Sequence, residues 1–318
     1  NMKHMNEKIL IISLLTLLVI SSCNQQNHQA SKRLTDEPIN LANPLMGTDS
    51  KFSLSNGNTY PAIALPWGMN FWTPQTGEMG NGWTYTYAAN KIRGIKQTHQ
   101  PSPWINDYGA FSLMAVTDQL KIDEESRASW FSHKAEVVKP NYYSVYLAEY
   151  DTKVEVTPTD RAAIFRFTFP ETDSAFILLD GFFEGSSVNI MPDRQTIEGY
   201  ARNNSGGVPD NFHNYFVATF DKPFAYKGTW SEGEYAPGSL NTESDHSGAV
   251  VGFKTKKGER VHVKVASSFI SPEQARLNLE RETGSKSFEK VRAEGRKTWN
   301  DELSRIRVYG GSADEQVT

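Results

Sequence analysis

The chain has 318 residues, 38% of them hydrophobic and 12% aromatic, with a formal net charge of −4. That apolar content suffices for one large domain or two ordinary ones with a real core, which excludes a disordered chain. There is no basic footprint and no long run of like charge, which excludes nucleic acid as the main partner.

In chain order, Lys3 and Lys8 flank the start of the apolar run ILIISLLTLLVI at 9–20, which meets Ser21, Ser22 and Cys23. The run is short for a membrane span and fits the apolar region of a signal peptide over residues 1–22. Ile20-Ser21-Ser22-Cys23 resembles the bacterial lipobox, in which cleavage precedes the cysteine and the new N-terminus is acylated. Cys23 is the only cysteine, so it is the expected lipidation site and membrane anchor, and no intramolecular disulfide is available. Residues 23–38 are polar and aperiodic and read as a flexible tether. Asn24-Gln25-Gln26-Asn27 stands where acidic residues would favour surface export, so the periplasmic side of the envelope is expected.

From 39 to 270 short alternating runs separated by turn residues predict an antiparallel β domain. Phe165, Phe167 and Phe169 alternate with Arg166 and Thr168, and Val261, Val263 and Val265 alternate with His262 and Lys264. Each predicts one buried and one wet face. Further strands are expected at 142–149, 153–157, 175–180, 214–220 and 249–254. Asp160, Pro170, Gly199, Pro223, Gly228 and Lys257-Gly258 are read as punctuation between them. So many strands imply a large two-sheet sandwich.

The texture changes over 271–318. Ser271-Pro272-Glu273-Gln274 has the form of a capping box with proline at the first helical position, and Gly284 is the expected stop. Phe288, Val291, Trp299, Leu303 and Ile306 fall on one helical stripe. Two helices are expected, covered by the sandwich or by a partner.

The familiar strings of serine hydrolases, zincins, phosphate loops and dinucleotide folds are absent. The histidines show no metal-ligand spacing, and Asp210-Asn211-Phe212-His213 is the nearest to a cluster. Asp123-Glu124-Glu125, Asp180 and Glu184 are carboxylates of the kind that lie on a solvated face. Asn203-Asn204-Ser205 has the glycosylation acceptor pattern but is read as a turn.

Residues 43–109 carry the strongest signal. NPLMGTDS, FSLSNGNTYPAIALPWGMNFWTPQTG, NGWTYTY and QTHQPSPWINDYG follow almost without a break. Trp67, Trp72, Trp83 and Trp104 are interleaved with Asn56, Asn58, Asn70, Gln75, Asn81, Gln100, Asn106 and Asp107. Flat apolar rings beside amides and carboxylates suit a sugar, whose C–H faces stack and whose hydroxyls need planar donors and acceptors. The same tryptophans could equally fill a core. Pro101 and Pro103 make 97–109 a stiff loop.

This run, with the lipobox start and the WNDELSRIRVYGG close, resembles glycoside hydrolase family 92, the calcium-dependent exo-acting α-mannosidases. The resemblance implies a galactose-mutarotase-like β supersandwich, two linker helices and then an (α/α)6 barrel. It also implies an inverting route whose carboxylates and calcium ligands lie in that barrel, beyond the last residue here. The chain then supplies the wall of a pocket for mannose-containing glycans. Asn56, Gly57, Asn58, Trp72, Trp83, His99, Gln100, Trp104 and Asp107 are the candidates. Trp72, Trp83 or Trp104 would stack on a mannose ring, while His99, Gln100 and Asp107 bond hydroxyls or brace the loop. The alternative is a free-standing carbohydrate-binding lipoprotein.

Overall fold

The computed structural model describes residues 37–49, 59–77, 84–100, 107–307 and 309–316. Cys23, Asn56, Gly57, Asn58, Trp83 and Trp104 lie outside the described residues, as do the expected signal peptide and most of the tether. The chain divides into two compact units, one of which holds residues 37–306. In the other, the described residues end in a short helix at Ala313–Gln316, whose first turn is tied by Ser312 and Glu315.

Within residues 37–306 the described strands run β1 (Phe71–Gln75), β2 (Lys91–Ile92), β3 (Gly94–Thr98), β4 (Ser112–Thr117), β5 (Ser129–Trp130) and β6 (Val137–Lys139). They continue with β7 (Tyr142–Leu147), β8 (Thr152–Pro158), β9 (Ala162–Phe169), β10 (Thr172–Asp180), β11 (Ser186–Met191) and β12 (Thr196–Ala201). The last six are β13 (Asn214–Phe220), β14 (Tyr226–Ser231), β15 (Glu234–Pro237), β16 (Asn241–Ser244), β17 (Ser247–Thr255) and β18 (Glu259–Ser268). Two helices follow, α1 (Pro272–Glu282) and α2 (Phe288–Leu303). None of the described helices is long and apolar enough to cross a membrane.

Sixteen of the strands form a seven-stranded sheet, β1-β3-β4-β10-β17-β14-β15, and a nine-stranded sheet, β16-β11-β12-β13-β18-β9-β8-β7-β6, while β2 and β5 pair by themselves. Every pairing in both is antiparallel, as the alternating runs predict. Pro74 is tolerated because β1 lies at a sheet edge, where a missing N–H costs no ladder bond. The inner faces share one core, in which Phe165 and Phe167 stack at 5.9 Å and Phe111 meets Phe216 at 4.7 Å across the sheets.

Arg166 is not on a wet face. The two helices fold back over the outer face of the nine-stranded sheet, where Phe288 and Val291 bury against Tyr142 and Ile164, and Ala275 against Val217 and Ala266. Arg166 therefore lies under Phe288, with its guanidinium 4.2 Å from the ring centroid. Gly199 and Gly228 are strand residues rather than breaks. A Cβ on Gly199 would come within 1.9 Å of the Ser187 carbonyl, and one on Gly228 within 2.7 Å of the Tyr235 ring. Ser271 caps α1 by accepting from Gln274 N at 3.1 Å, but the Gln274 side chain donates to Asn278 instead of closing the box. Gly284 follows the helix at φ +28 with its N–H on Leu279 O. Ile306 lies beyond the end of α2 and is 82% exposed, so the stripe stops at Leu303.

Candidate functional site

Gln97 and Thr98 close β3 rather than opening a loop, and Gln97 is fully buried. Its orientation is fixed from across the sandwich. Asn214 Nδ2 donates to Gly109 O at 2.7 Å and to Gln97 Oε1 at 3.0 Å, which leaves Gln97 Nε2 to donate to Asn70 Oδ1 at 3.1 Å. Asn70 Nδ2 then reaches Ser267 Oγ at 2.9 Å and Arg161 O at 2.8 Å. Asn203 clasps the Ala110 backbone through its N–H and C=O, both at 2.8 Å. Buried amides thus tie the ends of β3, β4, β13 and β18 together. A satisfied buried network of this kind rigidifies what it supports.

What it supports is the start and finish of the 97–109 stretch. His99 Nε2 lies 2.7 Å from Gln97 Nε2, a donor, so that ring nitrogen accepts and the proton of the neutral ring sits on Nδ1. Nδ1 is 3.2 Å from Asp107 Oδ2 but poorly aligned for a hydrogen bond, and Asp107 instead accepts from the His99 backbone N–H. Asp107 is thereby committed to bracing the loop. Gln100 is half-buried, and its carbonyl accepts from the Tyr60 hydroxyl. Burial, and then the charge of Asp107, push the Tyr60 pKa far above its ordinary value, so that hydroxyl remains a donor. The Phe269 ring lies 4.7 Å from that of His99.

Trp72 is not a wall residue. It lies on β1 with no exposed surface, held edge-to-face by Phe111 at 5.9 Å and Phe165 at 5.0 Å, so neither ring face is free for a sugar. Asn70 and Gln75 are likewise buried braces rather than amides facing a ligand. The bracing by Gln97 and Asn214 and the placement of Phe269 carry no local sequence signal, since their partners lie far apart in the chain. Asn203 is buried, in keeping with a structural turn and not with a glycan acceptor.

The free-looking carboxylates are spoken for. Asp180 is fully buried, its Oδ2 2.7 Å from Arg127 Nη1 and its Oδ1 accepting from His246 Nε2 at 2.8 Å. Burial pushes its pKa up, but Arg127 and His246 outweigh this and hold the carboxyl below the ordinary range. His246 is affected in the opposite sense: burial disfavours the charged ring, while the Asp180 hydrogen bond and charge prevail and raise its pKa. Asp123 caps its own turn, Glu125 pairs with Arg93 at 2.6 Å and Glu184 accepts from Asn204 N. Among the described residues no three His, Cys, Asp or Glu side chains are placed to share a cation. The donor set of the described residues does not fit calcium.

Two concavities flank these groups. A cavity of about 400 Å³ is lined by Glu124, Phe183, Glu232 and His246. An apolar groove of about 640 Å³ is lined by Met46, Leu65, Trp67, Phe71, Trp299 and Leu303. Trp67 stands 93% exposed at its rim, at φ +67, a conformation that costs a non-glycine residue.

Residues 41–268 match the Glycosyl hydrolase family 92 N-terminal domain, and residues 274–318 match the Glycosyl hydrolase family 92 catalytic domain. The chain is similar to the family GH92 inverting mannosidase BT2199 from Bacteroides thetaiotaomicron VPI-5482, with 41% identity over 90% of this chain and a TM-score of 0.86. It is similar to the family GH92 α-mannosidase BT3965 of Bacteroides thetaiotaomicron at 30% identity over 89% of this chain, with a TM-score of 0.78. A secreted glycosidase of Arthroderma benhamiae is 23% identical over 95% of this chain. The chain spans about two-fifths of these proteins: 39% of each solved structure and 42% of the fungal protein.

Proposed function

The chain belongs to glycosyl hydrolase family 92, and on that footing we propose that it supplies the sugar-positioning sandwich of an exo-acting α-mannosidase that trims terminal mannose from glycans. The observation that carries this reading is the likeness, along nearly the whole chain, to a mannosidase of inverting stereochemistry. Inversion needs an acid and a base about 6.5–9.5 Å apart, with a water between them and the sugar. By resemblance to the family, that pair belongs to the catalytic barrel, whose domain is matched here over residues 274–318. The same holds for calcium.

On this reading the sandwich contributes rigidity. Gln97, Asn214 and Asn70 hold His99 in one tautomer and one orientation, and Asp107 closes the loop that would present a hydroxyl-binding edge. Placement outside the cytoplasm, with Cys23 as a lipid anchor on the periplasmic side, completes the proposal. It accords with a fungal relative that is a secreted glycosidase.

The test is hydrolysis of α-mannobiose, read by proton NMR of the first-formed anomer. A polypeptide that joins this chain to a family catalytic barrel should release β-mannose in the presence of calcium and lose activity with a chelator. The 318-residue chain alone should release none. Release of α-mannose first, or turnover by the 318-residue chain, would overturn the assignment.

A further inference from the structure

The end of the sandwich that carries His99 holds more aromatic surface than a single sugar ring can cover. Phe269 and Ile270 follow directly on β18, with 39% and 77% of their surface exposed. Phe269 lies between His99 and Phe212 and stacks on the latter at 5.5 Å with 30° between the planes. Tyr108 meets Phe212 edge-on at 6.3 Å. The next residue along, His213, stacks on Tyr215 at 5.3 Å and meets Tyr200 edge-on at 4.4 Å. Phe212 and His213 are consecutive in the chain, so the two ring groups lie next to one another as a strip.

The topology dictates where the strip lies. Tyr200, Tyr215 and Ser268 are direct partners across β12, β13 and β18, and side chains opposite one another in a ladder share a face. Val217 and Ala266, further along the same face, are covered by Ala275 of α1. Since α1 begins only at Pro272, it leaves the Tyr200–Tyr215 end uncovered. The rings there are half-buried, some stacked and some edge to face, each braced by a neighbour and none enclosed. The strip is broken by two imidazoles and by tyrosine hydroxyls rather than filled with aliphatic groups, and Ile270 is its only branched apolar member. A surface of that kind suits a string of pyranose rings, whose C–H faces alternate with hydroxyls, better than a continuous apolar helix.

We infer that this strip is a subsite for the glycan chain behind the terminal sugar, with Phe269 and Phe212 as its stacking rings. The inference rests on the mannoside reading above and deepens it: the sandwich selects for an extended α-mannan or glycan arm over a lone mannoside. Phe269 is the link, since its ring contacts both His99 and Phe212 and yet stays 39% exposed.

The experiment is titration calorimetry of the 318-residue chain with methyl α-mannoside, α-mannobiose and α-mannotriose. Affinity should rise at least about tenfold from the monosaccharide to the trisaccharide, the gain that one or two stacked rings supply. Phe212→Ala and Phe269→Ala should each abolish that gain, and Phe212→Ala, which does not touch His99, should do so while leaving methyl α-mannoside affinity near wild type. Phe269→Leu, which keeps apolar bulk without a flat ring, should lose it as well, and Tyr226→Ala, on the other sheet, should not. Equal affinity for all three sugars, or a gain that survives both phenylalanine substitutions, would overturn the subsite and leave the mannoside reading standing. Absence of binding to every mannoside would overturn both.

Discussion

His246 reports on a carboxylate that is itself fixed by an arginine. Asp180, with Arg127 on one oxygen and His246 on the other, ties the end of β10 to the turn before β17. The raised His246 pKa means that its stabilising contribution is complete below about pH 6.5, the unfolded value, and fades as pH rises through the higher folded value. The thermal midpoint should therefore fall between about pH 6 and pH 8 by more in the wild type than in His246→Gln. Parallel curves for the two proteins would refute the coupling. Trp72 is a second residue-scale case. Truncation to alanine should cost about 3–5 kcal/mol in urea unfolding, the price of a large core cavity, with no selective loss of sugar binding in whatever protein still folds. Its role was not legible because FWTPQ offers no clean alternation to say which face each ring takes. The crowd of amides was legible as a feature but not as a function: Asn70 turns inward to Gln97, Ser267 and Arg161, and Gln75 to Gly77 and Glu124, while the amide that orients Gln97, and through it His99, comes from Asn214, more than a hundred positions away.

At the scale of elements, Arg166 shows how a strand and a helix are locked together. Its Nε and Nη2 make a bidentate pair with Glu155 at 2.7 and 2.9 Å, Nη1 meets Glu289 of α2, and Tyr142 donates to Glu155 at 2.6 Å. Burial pushes the Glu155 pKa up, but Arg166 and Tyr142 overcome it and bring the carboxyl down to about 2. A depressed folded value means stability that is present above the unfolded value of about 4.3 and is lost as pH falls toward 2. Glu155→Gln should cost about 3 kcal/mol at pH 7, because it takes from Arg166 the buried one of its two charge partners and leaves the exposed Glu289. The deficit should shrink steadily below pH 4, and a constant deficit from pH 7 to pH 2.5 would contradict the assignment. Ser271→Ala should cost about 1 kcal/mol through loss of the α1 cap, measured as a shift in urea midpoint. The strands expected at 214–220 and 249–254 were legible to within two residues at either end. The partners of Arg166 were not, because period-two alternation marks two faces without telling whether a helix from the far end of the chain will cover the second.

For the molecule as a whole, the sandwich is complete between its sheets and open on one flank. The inner core and the two helix-covered patches bury their apolar side chains, yet the groove beside Trp67 keeps Met46, Phe71, Trp299 and Leu303 around a single concavity. Trp299 shows that α2 reaches into this region by design, since its Nε1 donates to Ala64 O at 2.8 Å and so orients the indole along the groove. Trp67 then projects from a left-handed turn residue, where the backbone accepts strain to hold the ring out. Apolar surface arranged in this way favours association once it exceeds a few hundred Å². The 318-residue chain should therefore sediment as a concentration-dependent mixture of monomer and larger species. Trp67→Ser should shift that equilibrium toward monomer without lowering the thermal midpoint, because the ring it removes packs against little within the chain. Monodisperse monomer at millimolar concentration in the wild type, or association unchanged by the substitution, would show that the groove is not the adhesive surface.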